Sequence, residues 1–318
     1  MRARQAALAA VLLVLAYGAR MAQGAEPCPF DHQNLTFIGE PITQARCLLR
    51  QVRAFGELGA PLAALPAPLE QLIGQPASFT VAVLRGYLLE HAISEADIGG
   101  SLERPVSLAK AGDATAPRAR YLVIHDTSSP RFGSAEFPED IDRATWPENS
   151  LDHWLEGERS RAHVFVSRVG GSVTAVDFAE PWRATKFEMQ DTLLRRKGLF
   201  LHIELVQPRR TAAAGPRPNE ALPPTPGFTL QQYARLALVY AAASVRRGEW
   251  LIPTFHAVLD AGRVDAHDDP QNFSLDRFAA ALTALLSELP GRDAAAVGKP
   301  VRGLAYGRLA VASPLIPE

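Results

Sequence analysis

The sequence predicts an α/β protein, a mixed central β-sheet flanked by helices and preceded by a small helical region. From Tyr121 onward, short apolar strand-like runs alternate with helical segments. Between Pro41 and Ile98 the apolar residues instead recur at three- and four-residue spacing. With 318 residues, nearly half of them hydrophobic, the chain is long enough for one sizeable core plus an accessory region.

The first residues have their own logic. Arg2 and Arg4 precede the twelve apolar residues "AALAAVLLVLAY", and small residues follow in "MAQGAE". This is the pattern of a secretory signal over residues 1–25, cut after Gly24 or Ala25, with Ala22 at −3 for the first cut. Twelve apolar residues fall short of the roughly 20 that span a bilayer. The expectation is an exported protein, periplasmic or secreted, with no membrane span once the signal is removed; an uncleaved anchor is the alternative. The only cysteines, Cys28 and Cys47, follow that site closely. In an oxidising compartment such a pair forms one disulfide, against the alternative of two buried thiols.

Residues 26–115 form a disulfide-stapled helical region, with helices expected at "ITQARCLLRQV", "LEQLIG" and "VAVLRGYLLEHAI" and proline-bearing breaks such as "APLAALPAP" between them. His91 lies on the last helix as a surface or packed imidazole, and His32 and His153 carry no spacing signal. Over residues 116–290 strands are expected at "RYLVIHD", "AHVFVSR", "SVTAVDF" and "LFLHIELV", with Gly170 and Gly171 in a hairpin turn. Helices follow at "TLQQYARLALVYAAASVRR" and "LDRFAAALTALLSEL". The stretch from Gln207 to Gly227 holds six prolines and no apolar period, so it reads as a long loop, either a groove wall or a surface insertion. Residues 291–318 form an uninformative tail.

A net charge of −1 and scattered basic residues leave no electrostatic footprint for nucleic acid. The chemistry-bearing residues come in the order His125, Glu204, His256, then "DAHDDP". A hydrolytic zinc site needs three nitrogen, oxygen or sulfur ligands and one open position. His125, His256 and an aspartate of "DAHDDP" meet that requirement.

The chain from Tyr121 to about Phe278 resembles the zinc-dependent N-acetylmuramoyl-L-alanine amidases, whose fold is shared with peptidoglycan recognition proteins. The family's "IHHT" is matched by "IHDT", its "SAHY" and glycine turn by "RAHVFVSRVGG", and its "AWHAG" by "PWRAT". Its "IGIEL" is matched by "LHIEL", and its "GH" followed by "K-x-DP" by "FHAVLDAGRVDAHDDP". The resemblance implies zinc ligands at His125, His256 and Asp269, and Glu204 as the carboxylate that activates water. It also implies a peptidoglycan or muropeptide substrate, cleaved at the amide between N-acetylmuramic acid and L-alanine. His267 takes the place of the family's lysine and would donate to the oxyanion. Arg183 takes that of a histidine and would bind a substrate carboxylate, and His202 that of a glycine.

Residue spacing adds its own support. In an extended segment His267 and Asp269 point to one side and Asp268 to the other, so Asp269 is the better ligand; a surface turn at "DDP" is the alternative. In "FLHIELV" the residues Phe200, His202 and Glu204 share one face, and a glutamate on so apolar a strand needs a partner. His202 on that face would tune Glu204, contact substrate or pack. His163 is expected to be a hydrogen-bonded core residue. Because histidine titrates near ~6.5 unless shifted, the exchange at His267 predicts activity more responsive to pH near neutrality than in a lysine-bearing relative. A non-catalytic peptidoglycan-binding protein of the same fold is the competing expectation. It is kept open by the changes at positions 183 and 267 and by three extra residues between His256 and Asp269. Oligomeric state is not encoded in any pattern found.

Overall fold

All six residues of "YLVIHD" and five of the six in "FLHIEL" are buried, as strands covered on both faces must be. These strands form the centre of the molecule. The computed structural model describes residues 27–156, 162–189, 197–211, 221–225 and 227–289. The expected signal and tail lie outside the described residues.

In chain order the strands are β1 (Phe30–Asp31), β2 (Thr36–Phe37), β3 (Tyr121–Asp126), β4 (Val164–Val166), β5 (Ser172–Thr174) and β6 (Phe200–Leu205). Then come β7 (Arg210–Thr211), β8 (Ala221–Leu222) and β9 (Ile252–Phe255). The helices are α1 (Pro41–Leu48), α2 (Ala67–Leu72), α3 (Val81–Glu90), α4 (Leu230–Arg247), α5 (His256–Leu259) and α6 (Leu275–Glu288). Five strands make the central sheet in the order β5-β4-β6-β3-β9. Neighbours from β4 to β9 run parallel and β5 is antiparallel, so the sheet is mixed and the protein α/β.

β4 and β5 join through the expected glycine turn, in which Gly170 has φ +82°, a conformation that suits a residue without Cβ. β9 is a strand the sequence patterns do not reveal. It is short and contains Pro253, and it lies at the sheet edge, where a missing N–H is tolerated. α4 begins at a capping box between Thr229 and Gln232 and stops at Gly248, whose φ of +87° ends the helix. It packs on α6, whose cap is Ser274.

The N-terminal region joins the same core. Leu48, Leu69 and Leu84 belong to one hydrophobic cluster with Ile124, Phe200 and Tyr240. The Tyr121 hydroxyl, at the start of β3, donates to Gln44 Oε1 at 2.7 Å and accepts the Phe37 N–H at 2.9 Å. A disulfide joins Cys28 to Cys47 on α1. Among the described residues no helix is long and apolar enough to cross a membrane.

The stretch after β6 differs from the long loop that its composition suggests. Gln207 and Arg209 are buried, and Arg210–Thr211 pairs antiparallel with Ala221–Leu222. The physical reason is charge: Arg209 forms a bidentate ion pair with Asp126 at the end of β3, at 2.7 and 2.9 Å. Residues 212–220 lie outside the described part.

Candidate metal centre

Strand register brings three of the chemical candidates to one level. His125 on β3 is opposite Glu204 on β6, and Ile124 is opposite Phe255 on β9, so His256, the next residue, ends at the height of His125. These are the carboxyl ends of parallel strands, where open α/β sheets place their ligands. Asp269 arrives from the loop after α5. Its carbonyl accepts the Ala257 N–H at 2.8 Å, and its Oδ2 accepts the Asp126 N–H at 3.1 Å.

The three side chains converge. His125 Nδ1 is 2.9 Å from His256 Nδ1, His256 Nδ1 is 3.0 Å from Asp269 Oδ1, and His125 Nδ1 is 3.8 Å from Asp269 Oδ2. All three residues are buried, and their ligating atoms lie close enough to share one ion. Glu204 Oε1 is 3.9 Å from His125 Nδ1, with its side chain 13% exposed.

The donor set, two imidazole nitrogens and one carboxylate oxygen, is one that zinc accepts. The second nitrogen of each ring also has a polar neighbour, as in metal-binding imidazoles generally. His125 Nε2 lies 3.0 Å from His202 Nδ1, and His256 Nε2 lies 3.1 Å from Asp260 Oδ2. Asp260 also accepts the Phe187 N–H at 3.0 Å. No motif marks Asp260; its one sequence signal is the four-residue spacing from His256, which stacks the two on a helical turn.

Charge within the cluster is uneven. Burial, and then the neighbouring His256, hold His125 well below the ordinary histidine value, so it is neutral. Burial would also lower His256, but the Asp269 and Asp260 carboxylates outweigh it and lift the ring to about 10. Asp269 is lowered despite its burial, because His256 faces it. Without metal, a proton on His256 therefore sits where a cation would bind. Beside the cluster, burial pushes Asp126 up to about 6, against the pull of Arg209.

His267 lies next to the cluster, with Nδ1 2.9 Å from Asp260 Oδ2 and its ring stacked on His256 at 4.1 Å between centroids. Its side chain is 48% exposed. Asp268 turns away from the cluster, accepting from Gln271 at 2.8 Å and lying 3.6 Å from Arg209. His202 requires a correction. Its side chain is 0% exposed and sits behind His125 against Glu188, so the ring has no surface for substrate. The strand alternation gives its face correctly but not its depth. His163 is a core residue whose Nδ1 accepts the His202 N–H at 3.0 Å. Arg183 is half-buried in the loop segment before Thr185. Glu188, buried behind His202, has no signal in the sequence.

No family model matches the chain, and no curated protein matches it. Among solved structures, the crystal structure of a selenomethionine AmpD derivative is similar at 20% identity and a TM-score of 0.28, over 52% of this chain and 85% of that one. A likeness so remote assigns no chemistry to this chain.

Proposed function

We propose that the protein is a zinc-dependent amidase that hydrolyses the bond between N-acetylmuramic acid and L-alanine in peptidoglycan or muropeptides. The observation that carries the reading is the convergence of His125, His256 and Asp269 beside the Glu204 carboxylate. The substrate rests on the motif resemblance alone, since such a site fixes reaction type better than substrate. The disulfide and the signal-like N-terminus support action outside the cytosol.

His125, His256 and Asp269 would hold zinc, which would supply Lewis acidity toward the scissile carbonyl and the attacking water. Glu204 takes the proton from the attacking water at a carboxylate oxygen and hands it to the leaving amine. His267, oriented by Asp260 through Nδ1, presents Nε2 to the developing oxyanion. Arg183 is the candidate for a substrate carboxylate.

The test is incubation of the purified chain with muropeptides, with and without a chelator, followed by mass analysis. Release of stem peptide that stops with chelation and returns with zinc is the expected result. Retention of muropeptide without any metal-dependent product would replace the enzyme by a non-catalytic recognition protein.

A further inference from the structure

Behind the cluster runs a line of buried polar groups that the reaction above does not use. His125 Nε2 lies 3.0 Å from His202 Nδ1, and His202 Nε2 lies 3.2 Å from a Glu188 oxygen. Glu188 ends the line. Its Oε2 accepts the backbone N–H groups of Ala184 and Thr185, each at 3.1 Å, and the Thr185 hydroxyl at 2.8 Å. All three side chains are buried.

Taking each ring as a neutral imidazole, the donors and acceptors in this line have one consistent assignment. A carboxylate only accepts, so His202 offers Glu188 a proton on Nε2, and a neutral ring protonated there has a lone pair on Nδ1. The proton between the two rings then belongs to His125 Nε2. That leaves the His125 lone pair on Nδ1, the atom 2.9 Å from His256 Nδ1. His163 does not disturb the assignment: its Nδ1 accepts the His202 backbone N–H, and its Nε2 lies 3.2 Å from the Glu180 carbonyl. The opposite tautomer of His125 would set two lone pairs face to face in a buried site. Leaving that hydrogen bond unmade disfavours it by about tenfold or more.

We propose that Glu188, acting through His202, is a positioning group for His125: it fixes the Nε2–H tautomer and turns Nδ1 toward the metal. His202 stands where the amidases that the sequence resembles have a glycine, so the line does not come with the resemblance. The proposal rests on the metal-binding reading of His125, His256 and Asp269, and on neither the reaction nor the substrate.

Two measurements test it, both on the whole chain. In the metal-free protein with ¹⁵N-labelled histidine, long-range ¹H–¹⁵N correlation reads each tautomer; His125 and His202 are expected as Nε2–H. A proton on His125 Nδ1 overturns the proposal, and this readout needs no variant to fold. Zn²⁺ affinity, by competition with a chromogenic chelator, is expected to fall about 10- to 100-fold in His202→Leu and Glu188→Ala. His202→Gln should regain most of it, because the amide oxygen accepts from His125 while the amide nitrogen donates to Glu188. Affinity within about twofold of the parent in His202→Leu, or equal losses in the Leu and Gln variants, overturns the proposal. A parent chain that binds no Zn²⁺ overturns both this and the amidase reading, whereas Zn²⁺ binding with the wrong tautomer overturns this one alone.

Discussion

Glu204 and His267 flank the candidate metal cluster, yet neither belongs to the proposed ligand set, so removing either tests the proposed chemistry apart from metal binding. Glu204→Gln keeps the shape and removes the base; turnover is expected to fall at least about a hundredfold. Zinc content, measured by atomic emission after dialysis, should stay at the parent level. His267→Ala is expected to lower kcat by about 100- to 1,000-fold, the range for loss of an oxyanion donor. His267→Lys, which keeps a hydrogen-bond donor at that position, should retain most of the parent's turnover. Turnover of His267→Ala at the parent level would remove His267 from the reaction.

Elements set where these residues meet. β3 carries His125, and its end is fixed by the Asp126–Arg209 ion pair, both side chains of which are fully buried. Arg209 thereby pins the segment after β6, while the Asp126 N–H holds the Asp269 carboxylate. Arg209→Met leaves a buried carboxylate without its cation and is expected to cost about 3–5 kcal/mol by denaturant unfolding. Adding Asp126→Asn should restore part of that loss, because the remaining charge goes too. Strand periodicity finds β3 and β6, since each is long and apolar, and with them His125 and Glu204. It does not find β9, four residues with a proline, although β9 delivers His256. Pairing along the backbone, rather than side-chain pattern, makes that segment a strand.

For the whole molecule, metal, protons and stability are linked. His256 is raised to about 10 in the metal-free fold, above its unfolded 6.5. Its contribution to stability is therefore fully present below 6.5 and is lost as pH rises through about 10. Asp269 is lowered, so its contribution is present above 3.8 and is lost as pH falls through its folded value. Burial holds His125 and His163 below 6.5, which costs stability as pH falls under that value, so the metal-free protein should melt highest near 6.5 and lower toward pH 10. Zinc must displace the His256 proton, so binding near neutrality is expected to release about one proton per ion. Calorimetry in two buffers of different ionisation enthalpy measures that number, and a value near zero would contradict the charge assignment. The zinc-induced rise in Tm should accordingly be larger at about pH 8.5 than at about pH 6.

The sequence by itself determined the α/β class, the strands that carry His125 and Glu204, the two long helices and the pairing of Cys28 with Cys47. Each is written in short-range pattern: alternation, helical spacing, a cap, or a lone pair of cysteines. It also set out the chemical candidates His125, Glu204, His256 and "DAHDDP", in the order of the motifs that the sequence resembles. Tertiary structure alone decided that His202 lies behind His125, that Asp260 holds both His256 and His267, and that Arg209 is buried against Asp126. Those contacts join residues from separate strands and loops. Depth and partner depend on which segments pack together, and no local period along the chain records that.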